Sequence, residues 1–371
     1  MTRVMRAIGF MSGTSMDGVD ITLIESDGET VVRRGEGFLR EYTPSERAII
    51  EEAVAASRDL GDRTARPGPL ALAEDAVTRA HIEAMTAYLT DTGLKPGDID
   101  VAGFHGQTVL HRPEEALTVQ LGDGALLARE TGVDIVYDMR ANDMAHGGQG
   151  APLVPVYHRA LARQAGLNAP VAIVNVGGVA NITWIGRDGE MVAFDTGPGN
   201  AMLDDWVASR TGERIDEDGK LGSVGAVNEK VVEQLMSSAY FSARPPKSLD
   251  RNDFSLSPLE SLSLPDGAAT LTRFTALALA RARDHMPEPP TRWVICGGGA
   301  RNPAMMAAFR EVLAGPVQTA DDLGWSGAFL EAEAFAFLAI RSLQGLPLTF
   351  PGTTGVSQPI SGGVLARAGK P

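Results

Sequence analysis

DITLIESDGE at residues 20–29 and NITWIGRDGE at residues 181–190 are two versions of one segment. In both, apolar residues alternate with others (Ile21, Leu23; Ile182, Trp184), which is the period of a half-buried strand. Both end in Asp-Gly, a hairpin-turn signal. Each follows a glycine-bearing turn that itself follows an apolar strand: RAIGF then MSGTSMDG, and VAIVN then VGGVA. A third strand is expected after each, around TVVRR and EMVAFD. Ten matching residues alone could reflect chance likeness between generic α/β units. The order of the later elements decides against chance.

In the first half the helix LALAEDAVTRAHIEAMTAYLTDTG ends at Gly93 and leads to a strand, DIDVAGF, and a glycine turn, HGQT. GDGALLARETG and the strand VDIVYD follow. The second half repeats the order: helix TLTRFTALALARARDHM, strand RWVIC, turn GGGARN, short helix AMMAAFREVLAG, strand GPVQT and long helix GAFLEAEAFAFLAIRSLQG. The expected fold is α/β, built from two duplicated units whose glycine turns face a nucleotide cleft between them. The first lobe is placed at residues 1–140 and the second at 141–349, with the tail from about 350 to 371 expected to return to the first.

The chain has 371 residues, enough for two cores, and a net charge of −14. So acidic a surface argues against a nucleic-acid or anionic-membrane partner, while leaving room for an anionic small-molecule substrate. Cys296 is the single cysteine, so no internal disulfide forms. MTRVMRAIGF lacks the apolar run of a signal peptide, and no stretch is long enough to span a bilayer. A cytoplasmic protein is expected.

The glycine turns fit neither a P-loop, which needs G-x-x-x-x-G-K-[ST], nor a dinucleotide fingerprint, because the first turn leads to a strand rather than a helix. A phosphate-binding hairpin remains. Gly13 and Gly18 free the backbone, and Ser12, Thr14 and Ser15 are small donors. Asp17 or Asp20 is placed to face Mg²⁺, directly or through water. The competing reading is a structural hairpin with capping hydroxyls. GGGARN offers a flat ligand close approach, or simply enters a helix with Asn302 as N-cap and Pro303 at its first position. In FDTGPGN, Asp195 stands at a strand end, as a general base or as an Asx-turn acid. In HGQT, His105, Gln107 and Thr108 offer neutral hydrogen bonds to a polyol, or His105 is structural. Arg140 can fork a carboxylate, with Asp143 orienting it. Gly147, Gly148 and Gly150 suggest a hinge or a close-packed crossing loop. Residues 213–225, ERIDEDGKLGSVG, read as a mobile or surface segment with solvated acids.

MSGTSMDGVD, FHGQTVLH, DMRANDMAHGGQGAPL, NVGGVANIT, FDTGPGN, PPKS and CGGGARN occur in this order. As a set they closely resemble the anhydro-N-acetylmuramic acid kinases, from Gly9 to Gly355. The resemblance implies two RNase H-like domains of the actin, hexokinase and heat-shock-70 ATPase superfamily. It also implies phosphorylation of O6 of 1,6-anhydro-N-acetylmuramic acid by ATP with Mg²⁺ while water opens the anhydro bridge, in cell-wall recycling, by a homodimer. By motif match Asp195 is the base for the attacking water. Gly13, Thr14, Ser15, Met16, Asp17, Gly18, Val19 and Asp20 hold the ATP phosphates, with Asp17 towards the metal. Gly177, Gly178, Gly297, Gly298 and Gly299 also contact ATP. His105, Gln107, Thr108, Arg140, Gly148, Asn200 and Glu331 lie on the sugar side, although Glu331 also suits a helix first turn on dipole grounds alone. Met139 stands where the family has Phe. SLDRND follows PPK where the family pattern is closer to STGR, which leaves that loop without a role. The rival readings are a related kinase acting on an ordinary hydroxyl and a non-catalytic nucleotide-dependent binding module.

Overall fold

The computed structural model describes residues 3–13 and 15–369. It divides into two compact units, Met1–Gln164 with Phe329–Pro371, and Ala165–Ala328.

The first unit is built on a seven-stranded sheet. Its strands are β1 (Met5–Ser12), β2 (Gly18–Ser26), β3 (Val32–Glu41), β4 (Val101–Arg112), β5 (Leu117–Leu121), β6 (Ile135–Tyr137) and β12 (Val364–Ala366). The order is β12-β6-β4-β1-β2-β3, with β5 added to β4. β1, β2 and β3 form an antiparallel meander, and β4 lies parallel to β1 with β6 parallel beyond it. The tail strand β12 closes the edge antiparallel to β6. Helices Pro44–Ala56 and Pro69–Thr92 make the crossover from β3 to β4. The first opens on a capping box between Thr43 and Glu46; the second ends at Gly93 in the left-handed conformation. Ile8, Phe10, Ile21, Val77 and Phe104 are buried between sheet and helices.

The second unit has a five-stranded sheet of β7 (Val171–Val176), β8 (Val179–Ile185), β9 (Met191–Pro198), β10 (Arg292–Cys296) and β11 (Val317–Thr319). Its order is β11-β10-β7-β8-β9, with β7, β8 and β9 antiparallel and β10 and β11 parallel to β7. The sequence β3-β2-β1-β4-β6 in one unit is thus β9-β8-β7-β10-β11 in the other, with the same strand directions. This is the RNase H-like order, present twice, and it makes the segment at 20–29 the counterpart of that at 181–190. Trp206, Phe274, Trp293 and Phe309 fill the second core.

Two expectations change. The lobe boundary at residue 140 moves, because the helices Pro155–Gln164 and Leu330–Leu343 both belong to the first unit. The reason is close packing. A Cβ on Gly9 of β1 would stand 1.8 Å from the Ala332 carbonyl oxygen, and one on Gly103 of β4 2.0 Å from that of Phe335. Only bare backbone at both strands lets the helix Leu330–Leu343 lie so close to the sheet. Tyr157 then ties the Pro155–Gln164 helix to it by donating to Glu333 Oε2 at 2.6 Å. The second change concerns HGQT, which is a bulge within β4 rather than a turn. Phe10 pairs with Phe104 and Ser12 with Gln107, so β4 carries one extra residue. Gly106, at φ +72°, absorbs it.

Residues 213–225 lie largely at the surface, as expected, with one exception among their acids. Glu217 and Asp218 are exposed, but Asp216 is buried and accepts the amides of Leu221 and Gly222. Gly148 and Gly150 belong to a close-packed crossing rather than a hinge: a Cβ on Gly148 would meet Asp143 Oδ2 at 2.2 Å.

Gly9→Ala is expected to destabilise the protein by about 3 kcal/mol or more, since its neighbour is helix backbone that cannot step aside. Urea unfolding beside Gly61→Ala, a position with nothing within 4 Å, measures it; equal midpoints for the two variants would contradict the packing argument.

Candidate functional site

The hairpin between β1 and β2 is held from beneath by three buried groups, Ser12, Gln107 and Tyr42, and at its tip by the half-exposed Arg47. Ser12 is buried and donates to Gln107 Oε1, while the Tyr42 hydroxyl lies 2.8 Å from Ser12 Oγ. Since the serine proton is committed to Gln107, Tyr42 is the donor in that pair. Burial pushes the Tyr42 phenol up to about 12, so it keeps its proton. The Gln107 amide donates onward to the Gly13 carbonyl at 3.1 Å. Arg47, from the helix Pro44–Ala56, donates to the Met16 carbonyl at 3.0 Å and to Asp17 Oδ1 at 2.7 Å. Met16 itself sits at φ +52°. Gly18 is required because a Cβ there would meet the Arg40 carbonyl oxygen at 2.2 Å. Ser15 and Asp17 are left exposed at the tip, whereas Val19 is buried. Thr14 lies outside the described residues.

Two of the expected ligand contacts already have partners within the protein. Gln107, expected on the sugar side, is fully buried and spends both ends of its amide on the hairpin. Asp17, expected towards the metal, is tied to Arg47. Asp20, on β2, has no cationic partner among the described residues. Burial pushes its carboxyl up to about 7, reinforced by the charges of Glu331 and Asp17.

Glu331 opens the helix Leu330–Leu343. Burial raises its pKa, and Arg140 pulls against that rise. Arg140 is itself pushed down to about 10 by burial, with Glu331 and Asp143 opposing. Arg140 donates to His105 Nε2 at 3.0 Å and to the Gly150 carbonyl at 2.8 Å. A guanidinium only donates, so His105 accepts as a neutral ring. Its pKa falls to about 3 through burial and the adjacent Arg140 charge. Asp143 makes no bond to Arg140. It accepts the Gly150 amide at 2.6 Å and the Thr354 hydroxyl at 2.7 Å, and so fixes the residue whose carbonyl Arg140 holds. The first unit therefore gathers Asp20, Glu331, Arg140 and His105 into one electrostatic group. Thr108 stands apart, accepting from Gln120, and Gly148 is packed on Asp143.

In the second unit three glycine turns meet at the C-terminal ends of β7 and β10. Gly177 and Gly178 offer their carbonyls to the amides of Asn200 and Gly199, at 2.7 and 2.9 Å. The Asn200 side chain donates to the Val176 carbonyl at 3.0 Å. Gly297, at φ +77°, passes so close to Asn175 that a Cβ would lie 2.3 Å from its Oδ1; one on Gly298 would lie 3.1 Å from Asn200 Nδ2. Asn200, expected on the sugar side, thus buttresses the glycine turns. Asn302 caps the following helix by accepting the Met305 amide, with Pro303 at its first position.

Asp195 lies within β9, opposite Asn181. Its amide donates to the Lys247 carbonyl at 3.1 Å, and its Oδ2 accepts the Leu249 amide at 2.8 Å. The Tyr240 hydroxyl donates to its carbonyl oxygen. Burial pushes the carboxyl up to about 6, and the Leu249 hydrogen bond is the opposing influence. The loop after PPK, which sequence left without a role, is the loop that carries this bond. Tyr42, Arg47, Tyr240 and Lys247 were not anticipated. Only Lys247 had a sequence signal, its place in PPKS; the others act through long-range contacts.

The sequence model of the family described as anhydro-N-acetylmuramic acid kinase matches residues 5–368. Curated proteins bearing that description are similar over nearly the whole length. One from Methylobacterium nodulans is 54% identical, covering 98% of this chain and 100% of its own. One from Agrobacterium fabrum is 49% identical, covering 99% of this chain and 100% of its own.

Because Gln107 serves the hairpin, Gln107→Met is expected to raise the KM for ATP at least ~5-fold by leaving Ser12 and Gly13 unpaired, with the sugar KM within about twofold. The opposite pattern in steady-state kinetics would return Gln107 to the sugar.

Proposed function

The chain belongs to the anhydro-N-acetylmuramic acid kinase family, and from that premise we propose that it converts 1,6-anhydro-N-acetylmuramic acid, ATP and water to N-acetylmuramic acid 6-phosphate and ADP. The enzyme is a phosphotransferase of cell-wall recycling. Two bonds break and two form. Water adds to C1 as the C1–O6 bond opens, and O6 takes the γ-phosphoryl group as the bond to the ADP oxygen breaks. An acetal oxygen leaves poorly unless it is captured, so the two events are coupled.

The observation that carries this reading is the placement of Asp195, a half-buried carboxyl with one oxygen held by the Leu249 amide. A general base works best with a pKa near the working pH, and burial pushes this carboxyl up to about 6. Asp195 takes the proton that water loses. The Leu249 amide holds Oδ2, leaving Oδ1 for the water. Phosphoryl transfer needs positioning and charge neutralisation more than covalent help. The hairpin at 13–18, shaped by Ser12, Gln107 and Arg47, supplies backbone donors for the phosphates. The glycine turns at 177–178 and 297–299 accept the nucleotide where no side chain intrudes. Arg140, held by His105 and Gly150, offers its charge to the sugar's lactyl carboxylate.

The acid pair of Asp20 and Glu331 suits Mg²⁺. Each is raised rather than neutralised by its surroundings, and a divalent cation relieves that excess charge. Among the described residues no group of three or more His, Cys, Asp or Glu is disposed to hold a metal. That agrees with an ion bound mainly by phosphate oxygens and water, for which Asp20 and Glu331 supply the protein side. The ion would neutralise the charge of the phosphates. A cytoplasmic homodimer without nucleic-acid or membrane partners follows from the family resemblance and the net charge of −14. No helix among the described residues is long and apolar enough to cross a membrane.

Asp195→Asn is expected to lose at least ~10²-fold in turnover while ATP binding persists. In the unaltered protein kcat/KM should fall as pH drops through about 6, as the base takes up its proton. ADP release with weighed product tests both: the product must exceed the sugar by one phosphoryl group and one water. Near-normal turnover of the variant, or a product lacking the water, would overturn the reading.

A further inference from the structure

The loop that follows β9 in space, residues 244–250, touches Asp195 twice yet contributes no side chain to it. Lys247 gives its carbonyl to the Asp195 amide, and Leu249 gives its amide to Asp195 Oδ2. Both contacts are backbone, so they depend on what fixes the loop. The fastening is the Lys247 side chain. Its Nζ donates to the Tyr240 carbonyl at 2.9 Å and lies over two rings, 4.5 Å from the Tyr240 centroid and 5.6 Å from that of Phe194. Phe194 is the residue before Asp195, and the Tyr240 hydroxyl donates to the Asp195 carbonyl. The ammonium therefore grips both neighbours of the carboxylate. His285 completes the wall: its Nε2 lies 3.5 Å from Nζ and 2.9 Å from the Phe241 carbonyl, and its ring meets Phe194 edge-on.

We propose that Lys247 is a positioning residue for the reaction: its ammonium, held between Tyr240 and Phe194, fixes the loop whose Leu249 amide orients and tunes the Asp195 carboxylate. Cation–π attraction is strongest where the ammonium is partly desolvated, as here. A half-buried ammonium with no carboxylate partner among the described residues would otherwise be a poor choice for a loop anchor. Burial lowers the Lys247 pKa to about 8, in keeping with that environment. The ionisable groups that meet the loop are Asp195, Tyr240 and His285, with Arg244 and Asp250 in the loop itself and Asp253, which accepts the Asp250 amide and whose charge also acts on Tyr240.

The proposal rests on Asp195 being the base, and the test separates the two claims. Lys247→Met removes the charge and keeps most of the unbranched stem; Lys247→Arg keeps the charge. With the full-length protein, ATP and anhydro sugar, Lys247→Met is expected to lose at least about tenfold in kcat through misplacement of the base, with the KM for ATP within about twofold. Its acid limb should move to higher pH, because the Leu249 hydrogen bond that favours the charged carboxylate is weakened. Lys247→Arg should return the acid limb to its original position. It should also abolish any fall in rate above pH 8, since a guanidinium does not deprotonate there. Unchanged kcat and acid limb in Lys247→Met would overturn the proposal. So would a loss that follows thermal stability while the limb stays in place. Should Lys247→Met not fold, a Lys247→Arg enzyme that keeps the alkaline fall of the unaltered protein would overturn it equally. An active Asp195→Asn enzyme would instead remove the base assignment itself, whatever Lys247 does.

Discussion

Partial burial of carboxylates that have no ion-pair partner among the described residues is the constraint on which the chemistry of this protein depends. A buried acid normally acquires a cation or gives up its charge. Asp195 has one backbone amide against its burial and settles at about 6. Asp20 faces two other acids and settles at about 7. Such groups cost stability, and their retention makes sense where a substrate or an ion completes them. Glu333 is the instructive contrast. It too is pushed up to about 7 by burial, yet the Tyr157 hydroxyl already satisfies it, so it joins two helices instead of meeting a ligand.

The duplication explains where these acids can stand. Asp20 and Asn181 occupy corresponding places at the start of the second strand of each sheet, pairing with Met11 and Asn175. On the third strands their partners are Leu39 and Asp195. The two copies thus share a scaffold but carry the acid on different strands. In the first copy it lies beside the phosphate hairpin. In the second it lies beside the loop at 244–250. One layout thus places a carboxylate on the second strand in one unit and on the third strand in the other.

Much of this was legible in sequence because it is local. Alternating apolar residues, Asp-Gly turns and helix caps at Gly93 and Asn302 depend on near neighbours. The repeat therefore emerged from two ten-residue segments. What was not legible depends on distant contacts. Nothing near Gly9 or Gly103 says that each must admit the helix Leu330–Leu343, so the lobe boundary was misplaced. A glycine at a bulge reads like one at a turn, so β4 was cut at Gly106. Gln107, Gly148 and Asn200 have the polarity or smallness of ligand contacts but spend it inside the protein. Motif likeness names which residues belong to a site; it does not separate those that touch a ligand from those that hold the others in place.

The central claim is that the Asp195 carboxyl is tuned by burial into the range of a working base. Carbon-13 titration of the side-chain carboxyls, with the Asp195 signal identified by its loss in Asp195→Asn, measures this directly. The account predicts an inflection near pH 6. An inflection near the ordinary aspartate value of ~3.9 would contradict it.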